Sequence, residues 1–359
     1  MYLYYVLAIS ILIIGFIVKG DSLVSPIEYK QSKILFLILS FGLMLFLSAF
    51  RDITVGSDTP HYETAYYFLS SGTVNGIYEP GFALLNRIVA RLFGSYRALL
   101  IVTSAFMMIA AAIYIYYEAE DVILGTLCFY FVYFIVLNTM MRQGIALCIG
   151  MIAILLYRRN HKLSFYLLCV LAYTFHDSAF VLLLFPLFNK IKFKPSCIVV
   201  SFILGAAFNY FDLGRLVLGI IKLDTHYANE TGASGLAAFA QCGIALYTLG
   251  CVYFSDNVEY DYDEDTTVLN WNFSGWCIVF HIAFYLFTIS FPVMSRFSEY
   301  FAIGYLTLFP NQMMKLNNPR KRFVFICGWI AVYLLYQTLV FTYRPDWGGV
   351  FPFKFMWGG

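Results

Sequence analysis

The sequence predicts an all-α, polytopic integral membrane protein. Three observations carry this. Of 359 residues, 61% are hydrophobic and only 12% are charged, against about 25% charged in soluble domains. The mean hydropathy is +0.75. Apolar runs of membrane length recur along the chain, divided by short polar breaks.

A spanning helix needs about 20 largely apolar residues. Candidate runs are 2–18, 34–50, 97–117, 122–138, 143–157, 163–176, 178–189, 196–211, 236–254, 273–291, 293–313 and 323–342. Counted singly they give about 12 crossings. The runs 163–176 and 178–189 are short and could be one bent helix, broken near His176 and Pro186. The first run lacks a cationic leader and a small-residue cleavage site, so it reads as a helix and not as a cleaved signal. We expect one multi-spanning domain over 1–359.

Charge orients the helices. Lys19, Lys30 and Lys33 follow the first run, and Arg158, Arg159 and Lys162 lie between the fifth and sixth. Lys190, Lys192 and Lys194 follow the seventh, and Lys315, Arg320, Lys321 and Arg322 precede the last. All four clusters fall on one side, which the positive-inside rule makes cytoplasmic. Both termini are then expected outside the cytoplasm. The acidic loop 255–270 falls inside, the loop 212–235 outside. The net charge of +2 implies no nucleic-acid partner. Eight widely spaced cysteines read as small core hydrophobes. The 37 Phe and 29 Tyr read chiefly as interfacial anchors.

The segment 51–96 breaks the lipid-like pattern on the outer side. It opens on a polar island, Arg51 to Thr59. A short helix is expected over Pro60 to Leu69, with Thr59 as N-cap and Pro60 in its first turn. Glu79 to Phe93 reads as an amphipathic helix, with Phe82, Leu85, Ile88, Val89 and Leu92 opposite Arg87 and Arg91; such helices lie along a membrane surface. Within the loop, Asp58 and Glu79 are the carboxylates placed to act as a base. The rival reading of the island is an internal salt bridge from Arg51 to Asp52 or Asp58.

Ionisable residues at membrane depth are functional candidates, because burying them unpaired costs several kcal/mol. Arg142 and Gln143 break two apolar runs on the outer side; a guanidinium there suits a phosphate or carboxylate, or snorkels to water. His176 stands beside Asp177 and Ser178: it is an acid, a base or a phosphate donor, or marks a helix break capped by Asp177 and Ser178. Arg296, Glu299 and Tyr300 share one helical face, as a structural ion pair or as a cationic site. Tyr343 to Gly349, with Arg344, is a polar tail or a further site. No metal-binding, P-loop, nucleophile-elbow or paired-carboxylate motif occurs, so no cofactor is expected and the reaction expected is metal-independent.

These pieces fall in one order: Phe50-Arg51-Asp52-x-Thr54-Val55-Gly56-x-Asp58-Thr59, Tyr62, Glu79-Pro80-Gly81-Phe82, Met141-Arg142-Gln143-x-x-Ala146, Phe175-His176-x-Ser178 and Ser295-Arg296-Phe297-x-x-Tyr300-Phe301. The ordered set resembles the EpsG family of bacterial polysaccharide polymerases, which are functionally similar to Wzy O-antigen and capsule polymerases. The resemblance implies a GT-C-like glycosyltransferase of the inner membrane. It would join oligosaccharide repeats carried on undecaprenyl diphosphate, at a site facing away from the cytoplasm. It also implies a partner that sets chain length. On this reading Arg51, Arg142, Gln143, Arg296, Tyr300 and Arg344 hold the diphosphate, with His176 in support, while Asp58 or Glu79 takes the acceptor's proton. Other classes remain open: a lipid-linked glycan ligase, a glycan O-acyltransferase, or a flippase. A flippase should show internal repeats and midplane charges, and neither is seen.

Overall fold

The computed structural model describes residues 2–19, 30–72, 78–214, 235–255, 266–344 and 347–357. Regular structure among them is helical, apart from one isolated antiparallel bridge. Two compact units form: Met1–Leu183 with Leu334–Gly359, and Leu184–Tyr333.

The first unit contains α1 (Tyr2–Lys19), α2 (Lys30–Ala49), α3 (Thr59–Ser70), α4 (Pro80–Phe93) and α5 (Tyr96–Glu118). Then α6 (Val122–Phe129) runs through a π turn, Tyr130–Phe134, into α7 (Ile135–Thr139), followed by α8 (Met141–Arg158) and α9 (Lys162–Tyr173). The runs that form α1, α2, α5, α6–α7 and α8 are each long and apolar enough to cross a membrane. Many of their large side chains stay exposed, such as Ile13, Phe16, Ile38 and Ile109. With no polar face to turn to water, these surfaces suit lipid.

The two ends of this bundle differ chemically. At one end Arg158 pairs with Glu118, both nearly buried, and the Arg159 guanidinium lies 3.9 Å from the Tyr117 ring. Asp121 caps α6 there, accepting from the Ile123 and Leu124 amides at 2.8 and 3.2 Å. At the other end lie the polar island, α3 and the start of α4. Arg142 and Arg158 occupy opposite ends of α8, about 24 Å apart at 1.5 Å per residue.

The second unit holds α10 (Phe185–Phe188), α11 (Ile198–Tyr210), α12 (Gly235–Tyr253), α13 (Thr266–Phe287), α14 (Met294–Phe301) and α15 (Gly304–Lys315). The long α16 (Pro319–Tyr343) passes from this unit into the first. Among the described residues, six helices reach membrane-spanning length and apolarity, with five shorter apolar ones besides.

Several boundaries differ from the sequence reading. The run 293–313 is not one helix but two, α14 and α15. Gly304 lies at the joint, where a Cβ would come within 2.5 Å of the Ser274 carbonyl; the close approach of α13 is what that glycine permits. The run after α9 is a 3-10 stretch, Asp177–Leu184, that becomes α10 at Phe185, with Pro186 in its first turn. The break near His176 is therefore present, while Pro186 starts helix. Thr266, within the expected acidic loop, already begins α13. Residues 256–265 of that loop, and 215–234 of the loop 212–235, lie outside the described residues. All eight cysteines are free.

Candidate functional site at the polar island

The island is held by backbone and buried side chains, not by salt bridges. Arg51 is 1% exposed and donates to the Ser48 carbonyl. Ser48 Oγ donates to Asn138 Oδ1 at 2.6 Å and accepts from Ser104 Oγ at 3.1 Å, which ties α2, α5 and α7 together. Burial pushes the Arg51 guanidinium down to about 10, against the neighbouring Tyr96. Among the described residues its Nε has no partner. Neither carboxylate of the expected salt bridge meets it. Asp52 instead accepts from the Thr54 amide and hydroxyl at 3.0 and 2.7 Å, an Asx turn. Those bonds hold its carboxyl below the usual range. Asp58 accepts from Ser57 Oγ at 3.1 Å.

A strap from the far end of the chain completes the island. Asp52 N donates to the Lys354 carbonyl, Gly56 N to Gly349 and Ser57 N to Gly348, at 2.8 to 2.9 Å, and Met356 N donates to Phe50 at 3.1 Å. Arg51 and Phe355 form the antiparallel bridge. Gly349 has φ +61°, and a Cβ there would meet the Ser57 amide at 2.8 Å. The segment read as a polar tail thus supplies partners for two island amides, Gly56 and Ser57, and Lys354 beyond it serves a third. Gly56 has φ +97°, with a notional Cβ 2.3 Å from the Asn138 carbonyl. Its missing side chain lets the turn press on the end of α7.

The turn leads into α3. Its N-cap is Asp58, one residue before the expected Thr59, and the Asp58 side chain makes no capping bond. Thr59 Oγ1 instead donates to the Val55 carbonyl at 2.8 Å, and Tyr96 OH donates to the Thr59 carbonyl at 3.0 Å. Helix α4 starts one residue after Glu79 and buries Phe82, Asn86 and Val89. It leaves Leu84, Ile88 and Leu92 exposed, an apolar stripe along one face of the helix.

These elements build one charged cluster. Arg142 Nη1 donates to Glu79 Oε2 at 2.6 Å, with side-chain exposures of 26% and 12%. The guanidinium carbon lies 5.2 Å from the centre of the Tyr78 ring and 6.0 Å from that of Tyr62, a cation–π arrangement. Phe82 packs edge-on to Tyr62 at 5.6 Å. Burial pushes the Tyr62 phenol up to about 12; the Arg142 cation opposes that and the Asp58 carboxylate reinforces it. Arg142 Nε is buried without a partner among the described residues. Gly81 N donates to the Thr174 carbonyl at 2.8 Å, which joins the start of α4 to the segment carrying His176. His176 is buried, with Nδ1 2.6 Å from Ser178 Oγ; the ring therefore serves the turn after α9, where Asp177 and Ser178 were expected to cap. Gln143 is buried beside Arg142. Arg344 follows α16 and is exposed.

Arg296 and Tyr300 belong to the second unit, on α14. Arg296 is half-buried and Tyr300 buried. Glu299, expected to orient Arg296, accepts from Tyr285 OH at 3.3 Å. Next to it Ser298 Oγ lies 2.9 Å from His281 Nδ1. The His281 ring packs edge-on to Tyr285 and Tyr305, and among the described residues its Nε2 has no partner. Sequence reasoning passed over His281 and Tyr78. A histidine inside the run 273–291 was the available signal for the first. Among the described residues no three His, Cys, Asp or Glu side chains gather as a metal site.

Helices of membrane length, with a partly buried cation–carboxylate pair at one end of their bundle, mark a multi-pass membrane protein. The chain belongs to the EpsG family, whose model matches residues 34–355. Membership brings a polysaccharide-polymerase-like, glycosyltransferase-like role in polysaccharide biosynthesis. No curated protein and no solved structure matches the chain significantly.

Proposed function

We propose that the chain polymerises undecaprenyl-diphosphate-linked oligosaccharide repeats into a surface polysaccharide, as O-antigen, capsule or exopolysaccharide, at the outer face of the bacterial inner membrane. The observation that carries this is the Arg142–Glu79 pair under Tyr62 and Tyr78, at the bundle end opposite Arg158. Among the described residues Arg142 keeps an unpartnered Nε donor, suited to an anionic leaving group.

In the transfer, the bond from the anomeric carbon to the diphosphate oxygen breaks. A bond forms from that carbon to an acceptor hydroxyl, whose proton passes to a carboxylate. The diphosphate departs with the electron pair, and Arg142 stabilises its charge. Asp58 is the base, since Glu79 is committed to holding Arg142. Arg51 acts at one remove, by shaping the island. No metal is required in this scheme. Tyr62 and Tyr78 offer faces on which sugar rings pack.

The test is the glycan ladder of a deletion strain complemented with Arg142→Ala, Asp58→Asn, His176→Ala and Arg296→Ala, each at normal membrane level. Loss of a polymerase leaves single repeats attached, loss of a ligase leaves none, and loss of an acyltransferase leaves full-length unacylated chains. An intact ladder in Arg142→Ala would sink the proposal that Arg142 stabilises the departing diphosphate.

A further inference from the structure

An apolar groove opens among α4, α5, α8 and α9, with a volume of about 330 Å³. Its walls include Leu85, Phe106, Ile145, Ile149, Leu168 and Phe175. The one hydroxyl on it, Thr103, donates to its own helix at the Leu99 carbonyl. We infer that this groove holds the first isoprene units of a polyisoprenyl diphosphate whose head group sits at Arg142. The inference rests on the reading above and adds a subsite to it.

The argument is continuity with the charged cluster. Arg142, Ile145, Ile149 and Ile152 follow at steps of three and four along α8, so they form one stripe. The cation stands at the top and the lining Ile145, Ile149 and Ile152 run below it, over about 15 Å. Leu85 lies on α4, the helix that Glu79 begins. Phe175 adjoins His176, and the Gly81–Thr174 bond joins the start of α4 to the segment that carries Phe175. An anionic head over a hydrocarbon chain matches that order of chemistry. At about 30 Å³ for each water-sized group, the volume takes roughly ten carbons, or two isoprene units.

A second groove, lined by Lys30, Ile34, Phe41, Met108 and Tyr117, is larger at about 640 Å³. Size alone would choose it. It begins at Lys30 and Tyr117, at the Glu118–Arg158 end of the bundle, away from Arg142. It therefore serves as an internal control.

The full-length protein in phosphatidylcholine nanodiscs is irradiated with a polyprenyl diphosphate bearing a diazirine in its first isoprene unit, and adducts are mapped by peptide mass spectrometry. Adducts should concentrate at 145–152 and 168–175. Excess undecaprenyl diphosphate should remove them, and excess phosphatidylglycerol should not. Ile149→Trp, which fills the groove, should lose the adduct, whereas Ile109→Trp in the second groove should keep it. Leu168→Trp replaces Ile149→Trp if the latter does not reach the membrane. Equal labelling of 34–45 and 108–117, equal competition by phosphatidylglycerol, or full labelling of the filled groove would each overturn the inference. Labelling needs no glycan transfer. Retained labelling without a polymerase ladder phenotype condemns the transfer reading alone; a normal ladder with dispersed labelling condemns the groove alone.

Discussion

Glu79 and Arg142 lie 63 positions apart in the chain and 2.6 Å apart in space. One is the N-cap residue of the amphipathic helix α4, and the other sits in the first turn of α8, a helix of membrane-spanning length. Their pairing fixes the amphipathic segment to the bundle and aims the guanidinium between two tyrosines.

Exchanging the pair separates anchoring from charge placement. Glu79→Gln and Arg142→Ala should each abolish long polymer, since each removes one partner of a partly buried pair. The double exchange, Glu79→Arg with Arg142→Glu, should restore membrane level because an ion pair can reform. Polymer should stay absent, because the cation then sits on the wrong helix. A normal ladder in the double exchange would show that the pair is only structural.

Three glycines with positive φ grade the strap. Gly72→Ala meets open space at φ +73° and should cost about 1 kcal/mol, the left-handed penalty of a Cβ. Gly349→Ala adds contact with the Ser57 amide, and Gly56→Ala contact with the Asn138 carbonyl. Thermal unfolding in detergent should rank them Gly72, Gly349, Gly56 in rising loss. Only the last two should also lose polymer.

Asp121 gives a pH prediction away from the site. Burial raises its carboxyl from 3.8 to about 6, despite two amide bonds that favour the anion. A raised native value means the folded state holds the proton more tightly. The stability this contributes is full below pH 3.8 and is lost as pH rises through about 6. Asp121→Asn keeps a good capping residue and removes the buried charge. It should flatten the stability profile between pH 4 and 6, and stabilise at pH 7 by on the order of 3 kcal/mol. An unchanged profile in unfolding scans would refute this.

The Glu118–Arg158 pair should set the amount of protein and not its specific activity. Both side chains are 7% exposed, so Arg158→Ala removes one partner of a buried pair, at a cost of about 3–5 kcal/mol. Membrane level should fall steeply, and Glu118→Gln with Arg158→Met should restore it with a normal ladder. A ladder defect at normal level would move this pair into the functional machinery.

Orientation is open to direct labelling. Ser57→Cys in a background lacking exposed Cys327 should react with an impermeant maleimide added outside intact cells. Arg159→Cys should react only after permeabilisation. The reverse pattern would invert the topology and remove the outer-face reading.

What the sequence made legible follows from the range of each interaction. Apolar runs mark α1, α2, α5, α8 and α16 because lipid solvation acts on composition alone. The short helices α3 and α4 were readable from Pro60, Pro80 and the amphipathic spacing, which are local signals. Partners distant in the chain were not. Glu79 and Arg142 both stood out, yet as a base and a clamp instead of a pair. The strap leaves no pattern at all, since its bonds to residues 52–57 are made by backbone groups that every residue carries. The joint at Gly304 depends on the close approach of α13. His281 was hidden by its surroundings, since an apolar window averages one imidazole away.

The strap also imposes an order on biogenesis. A membrane protein is threaded in from its amino-terminal side, so residues 51–57 emerge long before 348–356. Until then the amides of Asp52, Gly56 and Ser57 lack the carbonyls that receive them in the finished molecule. The island is laid down early and closes late. A partly synthesised copy therefore holds its charged residues on an unfinished turn, and the island is completed only on the return of a segment translated long after it.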